Sequence, residues 1–283
     1  MHKRIILALA LAGVFAAGAA AQQFQPVDYV ADFTVRPGME EQFMALIKKY
    51  DEPLFEKLMA EGAVLAWGVD TPLLHSPGAP THSIWWSCAE MSGHDKVFAA
   101  FAELVKKNKE EIEAARKARR PVPKTLEQEF LEVFDLANHK DWLFRSIIVG
   151  FSQAPPPAGA LPYSWITITK VLPGKSEEYR KLWEEYNKPV YEKLLAAGSI
   201  NAYGLGVEEA RTSGDFTHFT WVSLPNLAAR DTVRDAIQAD RQARSAADRS
   251  IITHSFVNVT DQTATRTIVL RAAVFHVAPP PQK

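Results

Sequence analysis

The chain has 283 residues, 32 Lys and Arg against 33 Asp and Glu, a formal net charge of −1, and an apolar share of 47%. So small and interspersed a charge gives no basic footprint, which speaks against a nucleic-acid partner. Cys88 is the single cysteine, so no intrachain disulfide holds the fold, and two cores of ordinary size must do so instead.

The N-terminus reads as an export signal. His2-Lys3-Arg4 is basic, Ile5 to Phe15 is apolar, and Ala19-Ala20-Ala21 offers a small-residue cleavage site before Gln22. The apolar run is shorter than the roughly 20 residues that cross a bilayer. Residues 1–21 are therefore expected to be a signal peptide, with no membrane anchor, and the mature protein to be periplasmic or secreted.

A strand is predicted over Val27–Val35, closed by a turn at Pro37-Gly38. A helix follows from about Met39 to Glu61. Phe43, Leu46, Ile47, Tyr50, Leu54 and Leu58 recur at three- and four-residue spacing, which makes one buried stripe. Gly62 stops it. Pro53 interrupts it and predicts a kink or a restart, with Asp51 as cap; a bent helix can leave a cavity above its sheet, or simply follow it. Strands are predicted over Val64–Val69 and His82–Cys88, then a helical region after Ser92, a charged helix ending Arg116-Lys117-Ala118-Arg119-Arg120, a helix over Thr125–Ala137 and a last strand near Phe144–Phe151. The mixed charges of the long helix mark a solvated face.

The chain then repeats itself at a constant offset of 136 residues. Val35-Arg-Pro37-Gly38 returns as Val171-Leu-Pro173-Gly174, Tyr50 as Tyr186, Pro53 as Pro189, Gly62 as Gly198, Gly68 as Gly204, His82 as His218 and Trp85 as Trp221. Val35 to Ser87 holds 19 identities in 53 gap-free positions. So long a unit is a duplicated domain and not a solenoid repeat. Ala154-Pro155-Pro156-Pro157 marks the boundary. The expected domains are 24–153 and 161–277, with a Pro-rich linker at 154–160 and a Pro-rich tail at 278–283. The second copy carries strands at Tyr163–Val171, Ile200–Leu205, His218–Leu224 and near Val269–Val277.

Each copy thus reads strand, helix, strand, strand, helix, strand, the ferredoxin-like βαββαβ order. Helices cover one sheet face; the bare face needs a partner, which a tandem copy supplies. The predicted fold is α+β, two tandem ferredoxin-like βαββαβ domains forming a pseudo-dimeric α/β barrel.

Four recurring positions are candidate site residues. His82 and His218 open a strand and suit a general base or an axial haem ligand; alternatively each is a strand-end histidine bonding a loop carbonyl. Tyr50 and Tyr186, Trp67 and Tyr203, and Trp85 and Trp221 suit a ligand-binding box or core packing. Strand alternation puts His82 and Trp85 on opposite faces. The copies also differ: Asp28 and Asp32 share a face where the second copy has Ser164 and Ile168. An acid inside a sheet is costly unless paired, so Asp32 is expected to orient a histidine or to carry a shifted pKa, or else to lie on an exposed edge of the strand.

The Val-x-Pro-Gly…Glu-(Phe/Tyr) approach to the first helix and the Gly-x-x-x-Ala-(Trp/Tyr)-Gly that follows it resemble the antibiotic-biosynthesis-monooxygenase-like superfamily of dimeric α/β barrels and its NIPSNAP-like members. That resemblance implies a cofactor-independent oxygenase or isomerase acting on a small apolar or aromatic molecule held between the first helix and the sheet, with His82, His218 and Asp32 as the catalytic candidates. No H-E-x-x-H, C-x-x-C, phosphate loop or G-x-S-x-G elbow occurs, so no metal or cofactor is expected and hydrolase chemistry is disfavoured. A non-catalytic scaffold or partner-binding module stands as the alternative, and haem binding through a histidine as a weaker one.

Overall fold

A computed structural model describes residues 24–76, 78–152, 159–210 and 216–278. The expected signal segment, residues 154–158 of the expected linker and all but the first residue of the expected tail lie outside them. The first half runs β1 (Val27–Val35), α1 (Glu40–Leu46), a π-turn (Ile47–Asp51), α2 (Glu52–Ala60), β2 (Ala66–Pro72), β3 (His82–Cys88), α3 (Met91–Lys117), α4 (Leu126–Val133) and β4 (Phe134–Phe151). The second runs β5 (Tyr163–Val171), α5 (Ser176–Leu182), a π-turn (Trp183–Asn187), α6 (Lys188–Ala196), β6 (Ala202–Ala210), β7 (His218–Leu224), α7 (Ala229–Gln242), α8 (Ala246–Val259) and β8 (Thr260–Val277).

The prolines explain the π-turns. Pro53 and Pro189 cannot donate to the preceding turn, and each sits at the start of the helix that follows a five-residue π-turn. Widening one turn accommodates the missing N–H without ending the helix. The expected caps are absent: Asp51 and Asn187 keep helical dihedrals and their side chains cap nothing. Gly62 (φ +69°) and Gly198 (φ +67°) then stop the helices in the left-handed region, as expected.

All eight strands close into one antiparallel barrel in the order β1-β3-β2-β8-β5-β7-β6-β4. The two four-stranded sheets face each other across a lumen and are also bonded at both edges, β4 to β6 and β8 to β2. This is why β4 and β8 reach 18 residues each, well beyond the predicted strands. Phe134–Arg145 runs along β1, and Leu143–Phe151 runs along β6. The polar stretch before Trp142 has no strand pattern of its own; pairing with β1 imposes one. The helix expected to reach Ala137 accordingly ends at Val133. β2 likewise extends past Val69 to Pro72, held by β8.

Closure makes three cores. One lies between α1–α3 and the first sheet, where Phe43, Ile47, Phe55 and Trp67 are 0% exposed. A second, around Tyr179, Trp183, Tyr203 and Leu205, is its counterpart in the second half. The third fills part of the lumen and joins both halves: Trp142, Phe144, Ile168, Phe216 and Phe219, with Val30, Ile166, Trp221 and Ile268 part-exposed around them. Each large apolar side chain so buried stabilises by about 1.5–3 kcal/mol.

The repeated glycines make room for the lumen aromatics. A Cβ on Gly68 would lie 2.6 Å from the Val274 carbonyl oxygen and 2.9 Å from the Trp85 ring; one on Gly204 would lie 2.4 Å from Trp221 Nε1. Alanine at Gly68 must therefore displace backbone as well as an indole. Gly68→Ala is expected to cost about 1–3 kcal/mol by overpacking, read from urea unfolding; an unchanged midpoint and slope would show that the indole is not seated there.

Candidate functional site

Strand alternation sorts the candidates into two environments. Asp28 and Asp32 on β1, Asp70 on β2, Ser83, Trp85 and Ser87 on β3, and Trp142 and Ser146 on β4 belong to the lumen. His82, Trp67 and Trp86 belong to the helix-covered face.

In the lumen of the first half, carboxyls gather. Asp32 accepts the Ser83 hydroxyl at 2.5 Å on Oδ1 and the Trp142 indole N–H at 2.7 Å on Oδ2. Asp28 accepts the Ser146 hydroxyl at 2.8 Å. Asp70 pairs across the ladder with Ser83, and Asp32 does so from the other side. The Trp85 indole N–H lies toward Asp70 but makes no hydrogen bond of good geometry. Burial dominates all three acids. It pushes Asp28 up to about 6 against the hydrogen bonds of Ser87 and Ser146. It pushes Asp70 up to about 7, Trp85 opposing and the neighbouring Asp32 charge adding. It also raises Asp32, opposed by Ser83, Trp142 and the Lys140 charge. Among the described residues no group of three or more His, Cys, Asp and Glu is arranged to hold a metal ion.

The second half lacks these acids. Ser164, Ile168 and Gly206 stand where Asp28, Asp32 and Asp70 stand in the first, and Phe219 covers Gly206. The barrel therefore closes without carboxyls at these places.

On the helix side, His82 and His218 occupy matching places. Thr81 Oγ1 accepts the Val35 N–H at 2.8 Å and meets His82 Nδ1 at 3.0 Å; Thr217 repeats this with Val171 at 2.9 Å and His218 at 2.8 Å. Among the described residues, each histidine thus meets the hydroxyl of the threonine before it. Phe43 lies edge-on to His82 at 4.8 Å, and Phe33 stacks on it at 6.2 Å. Burial pushes the His82 imidazole down. Asp32 and His82 lie on opposite faces of the same sheet, so Asp32 orients Trp142 and Ser83 and not a histidine.

Nor do the aromatics converge under the first helix. Tyr50 donates to Glu129 Oε2 on α4 at 2.8 Å, beside Lys49 at 3.0 Å. Tyr186 carries the Arg244 guanidinium at 5.2 Å and borders a shallow cleft with Asn187, Ile237, Arg241 and Phe256, with room for about one water. Trp67 is stacked between Phe55 (4.8 Å) and His276 (5.1 Å). Tyr203 packs on Tyr191 at 5.4 Å and beneath Gly150. The space between helix and sheet, where a pocket is expected from the kink, is occupied by these side chains. Of these candidate aromatics, Trp85 and Trp221 are the ones that reach the lumen. Cys88 is buried, its thiol pushed up to about 12, and is inert.

Two residues have no sequence signal as site or network members. Asp70 lies one residue beyond the predicted strand. His94 is buried at the start of α3, where it accepts the Trp86 indole N–H at 2.9 Å and bonds the Val27 carbonyl at 3.2 Å. Asp28 was visible beside Asp32 through their two-residue alternation.

No family model and no curated protein matches the sequence. Solved structures do. One is a "putative monooxygenase" from Fusobacterium nucleatum subsp. nucleatum, 11% identical, covering 89% of this chain and 94% of its own, with a TM-score of 0.55. Another is a "putative monooxygenase" from Lactobacillus acidophilus, 10% identical, covering 90% of this chain and 97% of its own, with a TM-score of 0.54. The fold is the dimeric α/β barrel. At these identities the likeness concerns the backbone alone, and the dimeric α/β barrel hosts its chemistry in side chains that must be read here.

The raised carboxyls set a pH dependence. Below the unfolded value of about 4 both states hold the protons and nothing is lost. Above it the unfolded chain releases protons that the fold retains, so stability falls until the folded groups ionise, about 6 for Asp28 and about 7 for Asp70. The expected loss is on the order of 3–4 kcal/mol per carboxyl across that window. Denaturant unfolding of Asp28→Asn and Asp70→Asn should show flatter profiles than the parent; parallel profiles would place these carboxyls in water.

Proposed function

We propose that this chain binds a small aromatic molecule at the acidic side of its barrel lumen and acts on it as a cofactor-independent oxygenase or isomerase, with a buried carboxyl as the base. The observation that carries this reading is the asymmetry between the halves. Three acids with no full cationic partner burden the first lumen face, and the second half has none at the three matching positions. Costly groups with near-neutral pKa values in a part-exposed apolar space are the usual mark of acid–base work. Burial raises Asp70 to about 7, further than Asp28, and Asp70 makes no hydrogen bond of good geometry with Trp85, which suits it to accept a proton near neutrality. Asp32, held by Ser83 and Trp142, is fixed in place and suits a positioning role. Trp85 and Trp142 supply aromatic walls. His82 and His218 contribute through their hold on β1 and β5. The two solved barrels described as monooxygenases agree with an oxygenase without deciding it.

Export and tandem duplication belong to the same reading. Export rests on the basic, apolar and small-residue order of residues 1–21, and a mature N-terminus near Gln22 is its expected mark. Duplication rests on the constant offset together with the matching π-turns, Thr–His pairs and Gly–Trp pairs.

A scaffold without catalysis is the second reading, favoured by the filled helix–sheet layers. Oxygen uptake with a panel of phenols separates the two. Turnover in the parent that falls about a hundredfold or more in Asp70→Asn, and persists in His82→Gln, supports the enzyme. No binding and no uptake with any phenol supports the scaffold.

A further inference from the structure

The second half answers a position of the first in a way that leaves a charge unmatched. His94 in α3 corresponds at the repeat offset to Arg230 in the first turn of α7, Tyr29 to Trp165, and Trp86 to Val222. In the first half the set is closed: Tyr29 stacks on Trp86 at 4.3 Å, and His94 satisfies Trp86 and a carbonyl. In the second half the indole donor is gone and a guanidinium has replaced the imidazole.

That guanidinium lies over the Trp165 ring, its Cζ 4.5 Å from the centroid. Its Nε and Nη1 are sealed from solvent and have no hydrogen-bond partner. The residue as a whole stays part-exposed, so its outer end remains open. Nearby acids are engaged elsewhere: Asp231 pairs with Arg234, and Glu192 with Lys188. The aromatic face alone offsets a cation by about 0.5–2 kcal/mol, less than a sealed, unpaired donor pair costs. Tyr191 lies close enough that the Arg230 charge counteracts the upward push of burial on its phenol. Tyr191 itself stacks on Trp183 at 5.7 Å and on Tyr203 at 5.4 Å, so the surroundings are aromatic.

We propose that Arg230, with Tyr191 beside it and Trp165 beneath it, is a binding site for a small aromatic carboxylate in the second half of the barrel. A carboxylate matches the guanidinium fork in two parallel hydrogen bonds and supplies the missing counter-charge. The Tyr191 hydroxyl is a second donor, and the ligand ring meets the aromatic side chains. Engaging Nη1 requires the arginine to turn slightly away from its sealed seat. This site is separate from the lumen acids and does not depend on their role.

Calorimetric titration of the full chain with sodium benzoate tests it. The expected result is one saturable site in the parent, retained in Asp70→Asn and in Arg234→Gln, weakened at least tenfold in Arg230→Lys and lost in Arg230→Gln. Lysine keeps the charge but not the fork, so Arg230→Lys remains informative should Arg230→Gln fold poorly. No heat in the parent, equal binding in the parent and both Arg230 variants, or equal binding of inorganic phosphate and benzoate would each overturn the proposal.

Discussion

Closure of the barrel is the constraint on which everything else depends. An antiparallel sheet with two open edges must pair them or expose them. Here β4 and β8 pair both inside their own half and across to the other, and no edge is left between the halves. Closure gives each strand a lumen face as well as a helix-side face. Parity along a strand therefore decides which of the two environments a side chain enters. His82 and Ser83 are chain neighbours in separate environments for this reason.

The two halves then act as mutual controls. They share the π-turns, the Thr–His pairs and the glycines that seat Trp85 and Trp221. Features held in common answer to the demands of the backbone. Features held by one half alone do not, because the other folds without them. Asp28, Asp32 and Asp70 are of the second kind, and so is Arg230. Each imposes a desolvation cost that an apolar replacement would remove, and each sits where a ligand of opposite character, or a proton, would offset that cost. Sequences that break a local rule without a structural gain tend to do so at working sites.

Much of the fold was legible in residues. β1, β3, β5 and β7 coincide with the predicted bounds because alternation and turn glycines are local signals. The kink at Pro53 was legible, but its form was not: whether a helix restarts or widens by one residue depends on what its flanks pack against. The starts of β4 and β8 were not legible, since the stretch from Phe134 to Trp142 becomes strand only by pairing with β1 on one side and continuing to β6 on the other. At the site, the parity of Asp28 and Asp32 was readable. Their gathering with Asp70 was not, because it arises from the register of β1, β3 and β2, a long-range property. Tyr50 looked like a ligand contact from its repetition, yet it turns to Glu129 on α4.

The lumen of the first half is expected to hold carboxyls that ionise near neutrality. Carbon-13 NMR titration of the aspartate side-chain carboxyls, assigned by single Asp→Asn variants, measures this directly. Asp28 should titrate at about 6 and Asp70 at about 7, apart from the surface aspartates. Midpoints for both near the ordinary 3.8 would contradict it and leave the lumen a structural interior.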